Sequence, residues 1–448
     1  MINKIFTPTL FFFFCLYANA QEMSINEAWY FSKGEATDKI SEMKDYDQWQ
    51  MVNLPHTWNA KDVYDEEDGY YAGYGWYFKE LHFDDTYKDH QVFIYFEGAN
   101  EAATVYFNGE EIGSHAGGYT GFIFDITDKL RFTQKNILAV KLTNEFNKDI
   151  PPISADFTFY GGIYRDVYLI KKKKVHFDLL DGSCRGTYIK TPSVDREKGV
   201  LSFTGKIRNV EKSKLKVNVN LELRNPAGKI ISEKKRKINL GSESLQTINE
   251  NLEVKTPELW SPENPDLYQL WVSITDQKTG EILDEQITSI GFRWFSLGKQ
   301  NQFLLNGKPL KLLGVNRHQD YQYLGNAIPE QLNENDIRML KEMGGNFIRI
   351  AHYPQDRRLL EACDRYGIIA WEEIPVVNQI NDTEAFRINS RNMLEEMIRQ
   401  HFNHTSVVMW GFMNEVLLKR TKEIKTNEEV AAAYYKKVQE LTLDLNAL

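Results

Sequence analysis

Leu310-Lys311-Leu312-Leu313-Gly314-Val315-Asn316 is an apolar strand that runs into a polar tail, Arg317-His318-Gln319-Asp320. A helical pattern near residues 333–343 follows it, and the same order then returns three times. Asn346-Phe347-Ile348-Arg349-Ile350 precedes a helix near 357–366, and Ile368-Ile369-Ala370-Trp371 one near 390–402. Ser406-Val407-Val408-Met409-Trp410 precedes the last, near 427–443. Apolar strands alternating with helices predict a parallel sheet with crossover helices. About 150 residues follow Trp294, whereas a closed (β/α)₈ barrel takes roughly 250. Four units cannot close eight strands, so residues 294–448 are expected to form an incomplete TIM barrel, its first four β/α units.

The chain before Trp294 reads as β structure. Val92-Phe93-Ile94-Tyr95-Phe96, Ala103-Thr104-Val105-Tyr106-Phe107 and Asn136-Ile137-Leu138-Ala139-Val140-Lys141-Leu142 are strands, and Asn108-Gly109 signals a tight turn. Long helical periodicity is missing between Trp29 and Ile170, which predicts an all-β jelly-roll sandwich over residues 21–173. The basic run from Lys171 to Lys174 reads as a domain boundary and a solvated strand end. Residues 174–293 alternate again, as in Leu215-Lys216-Val217-Asn218-Val219-Asn220-Leu221. With the turn Leu259-Trp260-Ser261-Pro262-Glu263-Asn264-Pro265 between further strands, this predicts an immunoglobulin-like β-sandwich.

Lys4, the apolar run from Leu10 to Leu16 and Ala18-Asn19-Ala20 predict a signal peptide over residues 1–20, cut before Gln21. The expectation is an exported protein, periplasmic or extracellular. No later stretch approaches the ~18 apolar residues of a membrane span, so no membrane insertion is expected. Only Cys184 and Cys363 follow the leader, which argues against a disulfide framework. A net charge of −9 offers no footprint for nucleic acid. Aromatic residues make up 13% of the chain, which suits strands and also rings that stack on sugars. Nothing in the sequence fixes an oligomeric state.

Each of the four apolar strands ends in residues that a structural strand does not need. They are Asn316-Arg317-His318-Gln319-Asp320, Ala351-His352-Tyr353-Pro354, Glu372-Glu373-Ile374-Pro375 and Gly411-Phe412-Met413-Asn414-Glu415. One histidine, or one Asn-Glu pair before a helix, commonly serves packing or capping. Four polar ends at matching positions converge on one barrel face, where this fold carries its catalytic groups.

These segments, in the order sandwich, immunoglobulin-like domain, barrel, resemble glycoside hydrolase family 2. Gly314-Val315-Asn316-Arg317-His318, Ile350-Ala351-His352-Tyr353-Pro354 and Trp410-Gly411-Phe412-Met413-Asn414-Glu415 look like its barrel motifs. Asp156-Phe157-Thr158-Phe159-Tyr160-Gly161-Gly162-Ile163-Tyr164-Arg165 and Glu97-Gly98-Ala99-Asn100 resemble segments of its sugar-binding domain. The resemblance implies a retaining glycosidase with Glu415 as general acid/base. It implies that Asn414 binds the sugar 2-hydroxyl, that His318 and His352 bind hydroxyls or developing charge, and that Asn100 and Asp156 reach in from the first domain. Trp410 reads as core. Among family members the first two barrel motifs look most like β-galactosidases, which makes a β-linked galactoside the expected substrate and β-glucuronides or other β-glycosides of the family the alternatives. A non-catalytic carbohydrate-binding protein is the reading from another class.

Two departures from the family follow. A retaining mechanism needs a second carboxylate roughly 5–5.5 Å from the first, and in the family it lies on a later barrel strand. Glu372, Glu373 and Asp320 are the nearest carboxylates here, but the family gives those positions other roles, so the nucleophile is expected outside this sequence. Some family members also hold Mg²⁺ with the acid/base and a Glu-x-His after the third strand. Ile374-Pro375-Val376-Val377-Asn378-Gln379 offers neither, so no cofactor and no tightly bound metal is expected.

Overall fold

Alternation along His90–Phe96 buries Val92, Ile94 and Phe96 on the face toward the second sheet, with Phe93 buried on the other face against Ile170 and Leu179, and alternation recurs along Ala102–Phe107 and Lys135–Thr143. Two antiparallel sheets result. One holds six strands, in the order Gln50–Val52, Trp29–Lys33, Tyr74–His82, Lys135–Thr143, Ala102–Phe107 and Glu110–Ala116. The other holds Glu22–Ser24, Val167–Lys173, His90–Phe96 and Phe122–Asp125. Trp29, Tyr77, Phe96, Phe107 and Leu142 fill the space between them as the jelly-roll core. Asn108 and Gly109 take φ of 55° and 88°, the left-handed pair that a two-residue hairpin turn requires. The computed structural model describes residues 22–34, 49–418 and 422–448, so the expected leader, residues 1–20, lies outside the described residues.

The middle domain is the immunoglobulin-like sandwich. Val175–Phe177, Thr187–Val194, Lys198–Asn209 and Ser244–Lys255 form one sheet, and Leu215–Arg224, Ile230–Leu240, Tyr268–Asp276 and Ile282–Ile290 the other. The basic run before this domain is not simply a solvated strand end. Lys172 is 5% exposed, and its Nζ lies 2.8 Å from Asp284 Oδ1, which also accepts from the Glu285 amide. A buried ammonium needs such a partner, and this one comes from across the domain boundary. Trp260 of the Pro-rich turn is fully buried and donates Nε1–H to the Asp364 carbonyl at 2.8 Å, fastening the middle domain to the barrel helices.

The third domain holds four parallel strands, β1 (Gly314–Arg317), β2 (Phe347–Ile350), β3 (Ile369–Glu373) and β4 (Val407–Gly411), paired in chain order. Helices α1 (Glu330–Glu342), α2 (Arg357–Tyr366), α3 (Glu384–His401), α4 (Lys422–Thr426) and α5 (Glu428–Leu445) accompany them. These are the first four units of a TIM barrel. Asp356 caps α2 by accepting from the Arg358 amide, and Gly367 at φ 70° ends it. Helix α3 starts six residues before the predicted 390, because Thr383 caps it by accepting from the Phe386 amide. The residues before Gly314 are not a continuous barrel strand. Phe303–Leu305 and Lys308–Pro309 form a small hairpin around Asn306-Gly307.

The jelly roll sits on the C-terminal end of the barrel strands through charged anchors. Glu97 is 5% exposed and accepts from Arg357 at 2.7 Å and Arg358 at 3.0 Å, both at the start of α2. Arg165 donates to the carbonyls of Glu97 and Tyr119 in its own domain, and to Gln319 Oε1 and the Pro354 carbonyl in the barrel.

Candidate active site

Strand pleating sends neighbouring side chains to opposite faces, and at the end of β3 this separates two adjacent carboxylates. Glu372 faces the helix layer, where His401 Nδ1 lies 2.8 Å from its Oε2. Glu373 faces the other way. Its Oε1 accepts from Arg349 at 2.8 Å and lies 2.6 Å from His352 Nδ1. Arg349, on β2, spans from Glu373 to Asn414, where its guanidinium donates to Oδ1 at 2.7 Å. That bond engages the amide oxygen and so identifies the other atom of the amide, Nδ2, as the donor. The Trp371 ring lies 4.8 Å from the Arg349 guanidinium carbon and backs the network.

The backbone at Asn414 is clamped from both sides, since its N–H donates to the Val376 carbonyl at 2.8 Å and its carbonyl accepts from Asn378 at 2.9 Å. The next residue, Glu415, has φ 52°, a left-handed conformation that a non-glycine residue rarely adopts outside functional turns. Buried Val416 and the Tyr434 hydroxyl, which donates to the Val416 carbonyl at 2.6 Å, hold this turn. Glu415 is exposed, and no described residue hydrogen-bonds its carboxyl. The chain therefore fixes the backbone of the Asn-Glu pair while leaving one amide edge and one carboxyl open.

His318 and His352 converge, with ring centroids 5.4 Å apart. Phe157 of the jelly roll packs 5.3 Å from the first ring and 6.3 Å from the second. The Tyr353 hydroxyl lies 3.1 Å from His318 Nδ1, and its ring stacks on Tyr119 at 4.5 Å. Burial, reinforced by neighbouring His352, holds the His318 imidazole below its ordinary 6.5. At neutral pH it is an uncharged donor and acceptor rather than a cation.

The two residues assigned to the first domain are placed differently. Asp156 is exposed, and its electrostatic influence reaches His318. Asn100 is 1% exposed. Its Nδ2 donates to the Tyr160 carbonyl at 2.6 Å, while its Oδ1 is buried with no hydrogen-bond partner among the described residues. Tyr160 then reaches Asp320 Oδ2 through its hydroxyl at 3.4 Å, so Asn100 supports the segment that lies over β1. Sequence reasoning brought together His318, His352, Asn414 and Glu415. It gave no role to Arg349, Phe157 and Tyr353, which bond or pack against Asn414, His318 and His352, and it set Glu373 aside as a nucleophile without naming its partners. Trp410 packs against the buried core on both sides of β4, as read.

Beyond β3 the chain offers Asn378 and Gln379, and no group of three His, Cys, Asp or Glu side chains that could hold a metal ion is found among the described residues. A cavity of about 310 Å³ lies elsewhere, where all three domains meet. Its guanidiniums are already engaged, Arg185 by Glu22, Arg357 by Glu97 and Glu361, Arg365 by Glu334, and Arg399 by Glu395. No helix of the described residues is long and apolar enough to cross a membrane.

Comparison with known proteins bears on this arrangement. Sequence models of glycosyl hydrolases family 2 match the chain three times, the sugar binding domain at residues 12–173, the central domain at 185–293 and the TIM barrel domain at 297–446. A β-glucuronidase of Bacteroides fragilis is 35% identical over 429 residues, covering 91% of this chain and 58% of the relative. A β-galactosidase of Thermoanaerobacter pseudethanolicus is 34% identical over 402 residues, covering 88% and 52%. Bacteroides uniformis β-glucuronidase 2, solved with a covalently bound cyclophellitol-6-carboxylate aziridine, superposes with a TM-score of 0.91 at 41% identity over 95% of this chain and 50% of that one. The chain thus spans about half the length of these relatives.

Proposed function

Since the chain belongs to glycosyl hydrolase family 2, we propose that it carries the acid/base half of a retaining β-glycosidase, centred on Asn414 and Glu415. The observation that carries this reading is the Arg349 bond to Asn414 Oδ1 beside a Glu415 carboxyl that no described residue hydrogen-bonds. Glu415 gives its proton to the leaving glycosidic oxygen and later takes one from the attacking water. Asn414 Nδ2 donates to the 2-hydroxyl, a contact that strengthens as oxocarbenium character develops. Neutral His318, with His352, binds ring hydroxyls.

The nucleophile comes from outside residues 1–448. Glu372 and Glu373 are both committed to partners, and Asp320 accepts from Tyr160. For the glycone, a terminal β-glucuronide is the first reading, supported by the names of the relatives at 41% and 35% identity. A β-galactoside, the expectation from the barrel motifs, is the second, supported by the relative at 34%. Export is part of the proposal and rests on the leader pattern alone.

Nitrophenyl β-glucuronide and β-galactoside, offered to the 448-residue chain and to its Glu415→Gln variant, test this. Turnover by the chain alone would refute a nucleophile outside it. Equal turnover by the variant would refute Glu415 as the acid/base.

A further inference from the structure

Two tyrosines from different domains meet beside the strand ends without burying each other. Tyr64 closes the short turn Asp62–Tyr64 of the jelly roll, and Tyr323 lies in the loop after β1. Their ring centroids are 4.6 Å apart with the planes tilted by 32°, yet Tyr64 remains 48% exposed and Tyr323 60%. Their chain neighbours Val63 and Leu324 are exposed as well. Single exposed apolar residues are ordinary, but an exposed aromatic cluster marks a binding surface.

The loop that presents Tyr323 is built firmly. Tyr321 and Gly325 exchange backbone hydrogen bonds, at 2.9 Å in each direction, and the Tyr321 hydroxyl bonds Asp336. Tyr323 itself sits at φ 67°, a left-handed conformation that an aromatic residue adopts only under such constraint. The loop is continuous with the site. It begins at Asp320, two residues beyond His318, and Tyr160 bonds Asp320 while its ring lies against Gly325.

We propose that Tyr64 and Tyr323 form a platform for a neutral sugar ring on the leaving-group side of the scissile bond. This rests on the glycosidase reading. An aromatic face is what a pyranose ring presents its C–H groups to, and the location beside the strand ends suits the unit next to the one being cleaved. Charge decides between neutral and anionic units. Asp62, Asp65, Glu66, Glu67 and Asp68 crowd the Tyr64 loop against the single Lys61, so a sulfated or uronate ring would meet repulsion there.

The test measures binding by saturation-transfer NMR in the Glu415→Gln chain, so that turnover does not intervene. Methyl β-galactoside is compared with lactose, and methyl β-glucuronide with cellobiouronic acid; each disaccharide places neutral glucose on the platform. In whichever pair binds, the disaccharide is expected to bind about tenfold tighter than the methyl glycoside, roughly one aromatic stacking contact. Tyr64→Ala with Tyr323→Ala should bring the two within about twofold, and Phe at both positions should restore the gap. Sulfation of the glucose ring should erase it. Where the alanine variant fails to fold, saturation passed from selectively protonated tyrosines to the glucose protons of the intact chain is the second measurement. A disaccharide preference that survives in the folded double variant, or an absence of that transfer, refutes the platform alone. Binding of neither member of either pair refutes the glycosidase reading and the platform with it.

Discussion

Glu372 and Glu373 are adjacent, both carboxylates and both fully buried, yet the fold gives them opposite tasks, and that contrast is testable. Glu373→Gln keeps the shape and one acceptor but removes the charge that faces Arg349 at 2.8 Å and His352 at 2.6 Å. Breaking a buried pair costs about 3–5 kcal/mol, and the retained carbonyl acceptor returns about 1 kcal/mol, leaving a loss of about 2–4 kcal/mol. At roughly 2–4 °C per kcal/mol for domains of this size, the barrel transition should fall by about 4–16 °C. Glu372→Gln, which weakens the contact with His401, should also lower the transition. The two differ at the site. Only Glu373 holds the guanidinium that orients Asn414, so Glu373→Gln should abolish binding of the methyl glycosides while Glu372→Gln retains it. Calorimetry and saturation-transfer NMR on both variants give the answer. Equal loss of binding in the two would show that general destabilisation, and not the Arg349 bridge, empties the site.

Further outcomes follow from the domain contacts. Lys172→Met should cost about 3–5 kcal/mol by leaving buried Asp284 without its ammonium, read as a loss of urea midpoint for the first two domains. Trp260→Ala removes a fully buried indole and its bond to Asp364, and should cost about 3–5 kcal/mol in the same assay, with the barrel included in the lost cooperativity. Burial disfavours a charged His404, but Asp364 at 2.7 Å outweighs it and raises the imidazole above its ordinary 6.5. Its contribution is therefore full below pH 6.5 and lost as pH rises through the raised value. The gap in melting temperature between the chain and His404→Gln should accordingly be widest near pH 6 and shrink toward pH 8.5 (a gap that grows with pH would reverse this sign).

What the sequence made legible follows from which signals are local. The alternation of His90–Phe96 and the Asn108-Gly109 turn are decided within a few residues, and so is α2, whose Asp356 cap and Gly367 stop sit at its ends. The early start of α3 was also local, written in Thr383, but the apolar period of the helix is clearest only from 390 onward. The buried ion pair of Lys172 could not be read in the same way, because its partner lies 112 residues away and four consecutive lysines look alike until one is packed.

The polar strand ends announced a site, but they did not announce its wiring. In a barrel strand both faces are buried, so the composition of Ile369–Glu373 cannot tell which of its two glutamates faces Arg349 and which faces His401. That choice is made by the phase of the pleat, fixed when β3 registers Trp371 against Arg349 on β2. Arg349 itself was the available clue. A guanidinium between the buried Ile348 and Ile350 must meet a carboxylate, because an unpaired charge taken out of water is too costly to persist. The only glutamates at the end of the neighbouring strand are Glu372 and Glu373, and one of them had to serve it. Followed that far, the sequence already takes one carboxylate away from the list of nucleophiles. The same step hands Asn414 its orienting partner, since the guanidinium that one glutamate holds is long enough to reach the next strand end as well.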